Sequence, residues 1–426
     1  MRPTPSDFDG PSPAQAARVA SEFQLTSPIE ISDFPDKGNI HHQTYLIRGG
    51  GDDGQEFLLQ QINSEVFRHP ERVMASMLAC IRAQERKLRS IGPASSPEWR
   101  TVELIPTKDG TPFLTVDHPR GRAYWRLMKR IPNCLTYKSL GEIQDLERRL
   151  HIAEETGRGL ALFADLTSDL DVSALATPLP GYRDTRLYFV QLHSVLAGHR
   201  SLEDASAVLP EDPVLREGTT RLFFGQISKD EFERRRRLPD VTEALRVALE
   251  HEIYAQTLLR ALATGEIRRV AVHGDTKLDN FLFDAVSGRV KSLIDLDTIM
   301  GHTWLSDWGD MVRSLANIAG ERAHEPSTIQ VDEAVFEAVA RGFLGTVRTV
   351  TPGEVSLMVD AVRILALELG VRYLADYLRG DNYFRLGRGD PPDLNRIRAV
   401  GQLTLFQRLS DKTERLRSLI ERWRKD

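Results

Sequence analysis

The chain has 426 residues, 41% of them hydrophobic, so it is long enough to bury a large core in two or three domains or in two lobes around a cleft. A net charge of −5 argues against a general nucleic-acid binder and against a protein that binds anionic membranes, because both need a basic surface. Two cysteines, Cys80 and Cys134, are too few for a disulfide framework or a cysteine metal cluster.

The first part of the chain predicts a loose tail and a short helix. Residues 1–13 are rich in Pro, Ser and Asp and have no periodicity. They contain no basic segment followed by an apolar run, and no run in the sequence approaches the length of a membrane span. We therefore expect a cytoplasmic protein, without nucleic acid or membrane as partner. A monomer or a weak homo-oligomer is also expected, without a specific signal in the sequence. A helix is predicted from Ala14 to Phe23, before Pro28.

Short β-rich runs separated by turns predict a sheet in the next part of the chain. The predicted strands are 29–31, 43–48, 56–62, 102–106, 112–116 and 124–131. A helix that begins at Pro70 has an apolar stripe with which it can pack on this sheet. Gly38 lies between the first two strands, where a nucleotide-covering loop normally lies, although a plain turn explains this glycine equally well.

The chain becomes mainly helical after a break at Ile131-Pro132-Asn133. Apolar residues at helical spacing predict helices at 143–164, 184–196, 241–262 and 354–379, and a further helix after Asp307-Trp308-Gly309-Asp310. The pattern indicates an α+β protein with two lobes. The predicted boundary separates residues 1–131, a small β-rich lobe, from residues 132–426, a large mainly helical lobe.

The most informative stretch runs from Val270 to Met300. Two predicted strands in it, Arg269–Val272 and Lys291–Ile294, are each followed by acidic residues, and Ser287-Gly288 predicts a hairpin turn. Asp275 and Asn280 have the spacing D-x-K-x-x-N, which suits phosphoryl transfer: the carboxylate accepts the proton of the acceptor hydroxyl, and the amide oxygen binds Mg²⁺.

Asp295, which follows the second strand, supplies the carboxylate that Mg²⁺ needs. Asp297 is predicted as a second metal ligand or as a support for the loop. The order of these parts matches a catalytic loop followed by a metal-binding Asp. Turn-forming residues of an ordinary hairpin are the alternative.

Lys277 is predicted to reach the transferring phosphate as a point charge, and a solvated surface Lys is the alternative. The third predicted strand, 56–62, makes Lys277 more important. Kinase-like folds usually have a Lys or Arg on this strand that binds the α- and β-phosphates, but this chain has Gln60 and Gln61. Lys277 and magnesium are the remaining candidates for neutralising the phosphates.

These residues carry a resemblance to a known superfamily. HGDTKLDN, IDLDT and SDWGDMVR are similar to the motifs of the aminoglycoside phosphotransferase and choline kinase superfamily. The blocks FLLQQINSEVF, YWRLMKRI and GVRYLADYLRGDNYF resemble those of its N-acetylhexosamine 1-kinase group. The likeness extends from about Gly38 to about Leu409, and the group likewise has Gln in place of the third-strand cation.

The resemblance implies a bilobal protein-kinase-like fold, ATP and Mg²⁺ as cofactors, and phosphorylation of the anomeric hydroxyl of N-acetylglucosamine or N-acetylgalactosamine. Two departures bear on specificity: Gly274 stands where the group often has Asn, and the first loop reads Ile40-His41-His42-Gln43-Thr44 instead of Ile-Asn-Asp-Thr. The predicted catalytic residues are thus Asp275 and Lys277, and the predicted nucleotide-binding residues are Gly38, Gln60 and Lys277. The predicted metal ligands are Asn280, Asp295 and Asp297. The predicted substrate-binding residues are Asp275, Asp310, Arg372, Tyr383 and His42.

Arg372 and Tyr383 are assigned to the sugar because an Arg fork and a Tyr hydroxyl suit sugar hydroxyls or an acetamido oxygen. Glu368 and Asp376, each one helical turn away, are the alternative partners of Arg372. Among functions, a sugar kinase is favoured over a protein kinase, which would show a third-strand Lys and an A-P-E segment. A kinase of another hexose or of an aminoglycoside stays open, and so does a catalytically silent binding module.

Overall fold

The structure of the protein is a computed structural model that describes residues 13–26, 28–35, 40–41, 43–49, 54–92, 98–118, 121–387 and 389–424. The predictions made for Gly38 and His42 lie outside these residues.

A small sheet forms the core of the first lobe. In its described residues the antiparallel sheet has six strands, in the order β1, β2, β3, β6, β4, with β5 paired to β6. These elements and the two helices beside them are α1 (Pro13–Ala20), β1 (Ile29–Asp33), β2 (Thr44–Gly49), β3 (Glu56–Gln61), α2 (Pro70–Ile91), β4 (Leu104–Ile105), β5 (Leu114–His118) and β6 (Gly121–Lys129). Successive residues of a strand face opposite sides. Accordingly, Trp125 lies in the core shared with α1, and Tyr124 lies in the core shared with α2.

The second lobe is mainly helical. Its helices are α3 (Leu146–Leu166), α4 (Thr185–Leu196), α5 (Pro213–Thr219), α6 (Lys229–Arg236), α7 (Pro239–Glu250), α8 (Glu252–Ala255), α9 (Thr257–Thr264), α10 (Trp304–Leu315), α11 (Glu333–Thr346), α12 (Pro352–Ser356), α13 (Met358–Arg379), α14 (Leu394–Asp411) and α15 (Thr413–Trp423). The central helix is α13, which packs against α4, α7, α10 and α14 and is buried almost all round. Polar side chains on α13 must therefore find partners inside the lobe.

Two small antiparallel sheets lie beside these helices. One contains β7 (Cys134–Leu135), β9 (Phe281–Asp284) and β10 (Val290–Leu293), and the other pairs β8 (Val270–Val272) with β11 (Met300–His302). The hairpin turn at Ser287-Gly288 therefore joins β9 to β10. The strand predicted at Arg269–Val272 is present as β8, and it pairs with β11, a strand that was not predicted.

The predicted fold class, with a small β-rich lobe and a large mainly helical lobe, is confirmed, and the boundary between residues 131 and 132 stays a prediction. Several predicted elements differ in extent. The helix predicted at 241–262 is divided into α7, α8 and α9, with breaks at His251 and Gln256. The His251 ring bonds to the Val247 carbonyl and packs against Phe406, and these contacts hold the chain at the first break. The strand predicted at 102–106 is reduced to β4.

A further correction concerns Asp307-Trp308-Gly309-Asp310, which lies inside α10 and does not precede it. The helix begins earlier because Thr303 caps its N-terminus by accepting a hydrogen bond from the Leu305 amide. Gly309 stands inside the helix because α10 and α13 approach closely there: a Cβ atom would lie 2.6 Å from the Ala361 carbonyl oxygen. In the described part of the chain, no helix combines the length and the apolar character that crossing a membrane requires.

Candidate active site

The loop of residues 273–280 connects β8 to β9 and brings Asp275 next to Asn280. The loop ends in a 3₁₀ turn at Leu278–Asn280. The side-chain nitrogen of Asn280 lies 2.8 Å from the main-chain oxygen of Asp275 and 3.3 Å from its Oδ2, and donates to both. Since the nitrogen faces Asp275, the amide oxygen of Asn280 is the atom left for a cation.

Asp295 follows β10 and lies close to Asn280, because the amide of Ile294 donates to the Asn280 carbonyl at 2.9 Å. Its backbone is left-handed, with φ 62° and ψ 58°. Such a conformation costs a non-glycine residue about 1–3 kcal/mol and is concentrated at functional sites. Burial, followed by the charges of Asp297 and Asp275, raises the pKa of Asp295. A carboxylate held among other acids in this way suits the binding of a hard cation.

Asp297 differs from Asp295 because both of its carboxylate oxygens are already engaged. Arg126 donates from Nη1 to Oδ1 and from Nη2 to Oδ2, the latter at 2.7 Å, and Nε2 of His41 lies 2.8 Å from Oδ2. Although burial opposes it, these partners hold the pKa of Asp297 below its usual range. Of the predicted metal residues, Asn280 and Asp295 thus fit Mg²⁺ best, and Asp297 fits the role of a support.

Lys277 lies among the acidic residues of the loop. Its Nζ is 3.2 Å from Oδ2 of Asp275. Burial works against the charged form, but the carboxylates of Asp275, Asp279 and Asp295 raise the pKa of Lys277 above its ordinary value. The ammonium is therefore directed toward the predicted catalytic carboxylate, and its contact with phosphate stays a prediction.

Asp307 holds the 273–280 loop from behind. Its carboxylate accepts hydrogen bonds from the amides of His273 at 2.6 Å and Gly274 at 2.8 Å, and its carbonyl accepts one from the hydroxyl of Thr276 at 2.7 Å. The carboxylate is buried, and burial raises its pKa despite these bonds. Asp307 thus fixes the backbone on which Asp275 is carried.

The loop also explains why glycine occupies position 274. Gly274 has φ +85°, a left-handed conformation in which most side chains are strained. A Cβ atom built there would lie 2.7 Å from the Thr298 carbonyl oxygen. Gly274, which stands where the resembling group often has Asn, therefore allows a close contact between the loop and the segment that follows Asp295.

The turn before α4 supports the loop on its other side. The Tyr182 hydroxyl donates to the Gly274 carbonyl at 2.6 Å, and Nη2 of Arg183 donates to the same oxygen at 2.9 Å. Arg183 is buried and also pairs with Asp310 at 2.7 Å and with Glu368 at 3.3 Å. This turn therefore connects the 273–280 loop to α10 and α13.

Arg372 and Tyr383 are brought together beside this turn. Nη2 of Arg372 lies 3.4 Å from the Tyr383 hydroxyl. Four aromatic rings surround the guanidinium, with centroids between 4.9 and 5.6 Å from its central carbon: those of Tyr182, Tyr188, Tyr383 and Phe384. Because Tyr182 also contacts the Gly274 carbonyl, this aromatic cluster borders the 273–280 loop.

The alternative partners of Arg372 are engaged elsewhere. Glu368 accepts from Thr185 at 2.7 Å as well as pairing with Arg183. Asp376 pairs with Arg379 at 2.8 Å and accepts from the amides of residues 382 to 384. Among the residues that the structure describes, no carboxylate lies within ion-pair distance of Arg372. Its guanidinium therefore has donors to offer a ligand, and its role toward substrate stays a prediction.

Asp310 occupies a different kind of position. Its Oδ2 accepts from Arg183, and its Oδ1 accepts from Nε of Arg313 at 2.9 Å. Burial opposes ionisation, but the two arginines lower the pKa of Asp310 to about 2. Both oxygens thus accept from arginines, and a direct contact of Asp310 with substrate stays a prediction.

Gln60 is directed toward Arg126. Its Oε1 accepts from Nε of Arg126 at 3.0 Å and from Nη2 at 2.6 Å, and its Nε2 donates to the hydroxyl of Thr44 at 3.3 Å. The predicted contact of Gln60 with nucleotide stays untested.

Several residues of this site are not among the predicted site residues. Tyr182 and Arg183 lie in a turn without a motif. Arg126 and His41 each had a hint, because Arg126 is part of the block YWRLMKRI and His41 is part of the first loop that departs from the pattern of the group.

Comparison with known proteins agrees with this architecture. Two solved structures are similar over nearly the whole chain. A microcompartment-associated aminopropanol kinase has a TM-score of 0.51 and 14% identity, with 94% of this chain and 98% of that chain covered. An amicoumacin kinase in complex with AMP-PNP and Ca²⁺ has a TM-score of 0.52 and 12% identity, with 96% and 95% covered. The predicted protein-kinase-like fold is thus confirmed.

The model of the phosphotransferase enzyme family, APH, matches residues 35–340. This range begins just after β1 and includes β2 and the whole 273–280 loop. The chain belongs to this family and is a phosphotransferase.

Proposed function

We propose that this phosphotransferase is an ATP- and Mg²⁺-dependent small-molecule kinase that phosphorylates a sugar hydroxyl, with the anomeric hydroxyl of an N-acetylhexosamine as the first candidate. The observation that carries the choice of substrate is the aromatic cluster around Arg372, which borders the 273–280 loop. In this proposal the cluster lines the sugar pocket.

The residues of the loop have distinct roles in this proposal. Asp275 orients the acceptor hydroxyl and takes its proton. Asn280 and Asp295 hold Mg²⁺, since an amide oxygen and a carboxylate are donors that this hard cation prefers. When bound, Mg²⁺ supplies positive charge to the phosphate oxygens of ATP. Lys277 stabilises charge on the transferring phosphoryl group from the side of Asp275.

The charge of the pocket favours a neutral substrate over a polycation. An amino alcohol such as the aminopropanol of one similar kinase, or an aminoglycoside, carries ammonium groups at neutral pH. An ammonium beside Arg372 would meet a like charge with no described carboxylate in ion-pair distance to offset it. An acetamido oxygen or a sugar hydroxyl can accept from the guanidinium, while the sugar ring packs on the aromatic faces.

One experiment tests the proposal. The protein is incubated with ATP, Mg²⁺ and separate panels of N-acetylhexosamines, other hexoses and aminoglycosides, and the products are identified by ³¹P NMR and mass spectrometry. We expect an N-acetylhexosamine 1-phosphate, formed about 10²–10⁴-fold more slowly by the Asp275→Asn variant. Phosphorylation of aminoglycosides or of another hexose, without turnover of N-acetylhexosamines, would favour the alternative substrates. ATP hydrolysis and phosphorylation both absent under all conditions would contradict the kinase proposal.

A further inference from the structure

A buried arginine on β6 lies where the missing third-strand cation would be expected. In the described part of β3 no residue is cationic, and Gln60 of this strand is the direct partner of Arg126 in the β3–β6 register. Only 2% of the Arg126 side chain is exposed. The cationic side chain is thus on β6, the strand next to β3, and it faces Asp297.

Arg126 differs from a phosphate-binding lysine in that its donors are all in use. A guanidinium has five N–H groups. Nε and one N–H of Nη2 donate to Gln60, and the other N–H of Nη2 donates to Asp297. Of the two N–H groups of Nη1, one donates to Asp297 and the other donates to Sδ of Met77 at 3.4 Å. Since no donor is left for a phosphate, Arg126 must act through Asp297.

Asp297 is bound by a second part of the first lobe as well. His41, from the segment between β1 and β2, approaches it with Nε2. The other ring nitrogen, Nδ1, accepts from the Asn63 amide at 3.2 Å, and the ring stacks on Phe67 with centroids 5.7 Å apart. Asp297 is therefore fastened to two separate segments of the first lobe, and it stands two residues after Asp295.

We propose that Arg126 and Asp297 are a pair of positioning residues that replaces the third-strand cation: the pair fastens the segment carrying Asp295 to the first lobe and so sets the orientation in which Asp295 meets a magnesium-bound nucleotide. A buried ion pair is weak evidence for stability, and in some proteins such pairs fix geometry, which suits this role. The inference rests on the proposed function, because it assumes that Asp295 binds the metal.

The test separates metal-bound from metal-free nucleotide. Affinities for Mg·ADP, and for ADP in EDTA, are measured by calorimetry for wild type, Arg126→Met, Arg126→Lys, Asp297→Asn and the double variant Arg126→Met/Asp297→Asn. We expect each single loss of the pair to weaken Mg·ADP binding by about 10- to 100-fold, as outer partners of metal ligands do. Binding of metal-free ADP should change far less, and Arg126→Lys should retain part of the affinity.

The double variant carries the decisive comparison. Both changes remove the same Arg126–Asp297 interaction. The double variant should therefore bind Mg·ADP no more weakly than the single variant with the lower affinity for Mg·ADP. It also leaves no unpaired buried charge, so it keeps the test valid if a single variant does not fold. Arg122→Met is the matched control, since Arg122 is on the same strand but 59% exposed.

Three results would overturn the proposal. If Asp297→Asn weakened Mg·ADP binding and Arg126→Met did not, Asp297 would be a direct metal ligand. If the two effects were additive, the residues would act independently. If only the melting temperature fell, with both affinities unchanged, the pair would be purely structural. A wild-type protein that bound ADP only without Mg²⁺ would instead refute the metal site of the proposed function, and this inference with it.

Discussion

Replacing Arg372 by Met tests whether the aromatic cluster around Arg372 binds the sugar. Met is of similar length and keeps the apolar part of the side chain among the rings. It removes the positive charge and all N–H donors. In the free protein, replacement removes the 3.4 Å contact with Tyr383 and the cation–π contacts with four rings, so the folding of the variant is checked by its melting temperature. The effect on sugar binding is then measured on the folded variant.

The expected size follows from the bonds that a substrate would lose. A hydrogen bond to a charged donor contributes about 1.5–3 kcal/mol, which corresponds to about 10- to 150-fold in affinity. Arg372→Met should raise KM for the sugar by that order. Tyr383→Phe removes a neutral hydroxyl that contributes about 0.5–1.5 kcal/mol, so its KM should rise about 2- to 10-fold. KM for ATP should change little in both variants.

The assay is steady-state kinetics with the sugar varied at saturating Mg·ATP. Arg385→Met provides the control, because Arg385 follows the same turn but its side chain is 74% exposed, and its partner Glu65 lies 3.8 Å away at the surface. An Arg372→Met protein that is folded and has an unchanged KM for the sugar would refute the reasoning, and the pocket would then have to be sought elsewhere.

Three further predictions concern the loop and its metal. Asp275→Asn should lower kcat by about 10²–10⁴-fold and leave nucleotide binding nearly unchanged, since it removes a positioned base; turnover near that of wild type would contradict this. Asp295→Ala should abolish turnover at any Mg²⁺ concentration, whereas Asn280→Ala should be partly restored by raising it; normal Mg·ATP binding by both variants would argue against the metal assignment. Lys277→Met should reduce kcat more than the apparent ATP affinity, and an unchanged kcat would identify a solvated surface lysine.

Sequence reasoning predicted which candidate residues lie together where these residues are close in the sequence. Asp275 and Asn280 are five residues apart, and their side chains meet within one loop. Asp295 comes at the end of the neighbouring strand, so strand ends and turn residues were enough to predict that the three lie together. Arg372 and Tyr383 are eleven residues apart, across the end of one helix, and this spacing also allowed their contact to be anticipated.

The parts that sequence reasoning missed depend on contacts between distant segments. Asp297 meets Arg126 across 171 residues and His41 across 256, and Tyr182 reaches Gly274 across 92. No local pattern specifies such a partner. The sequence D-x-D alone made Asp297 a candidate metal ligand, and only the folded chain shows that an arginine occupies its oxygens.

Backbone strain gives an independent indication of which supporting residue matters. In the described part of the chain, the non-glycine residues with positive φ are Asn133, Arg183, Asp295 and Asp381. Asn and Asp adopt this conformation more readily than other side chains, so Arg183, at φ +64°, is the exception. Glycine would fit there without strain, and an arginine is favoured only if its side chain offsets the backbone cost. The guanidinium does so by joining the Gly274 carbonyl to Asp310, which fixes the loop from the side on which substrate is proposed to bind.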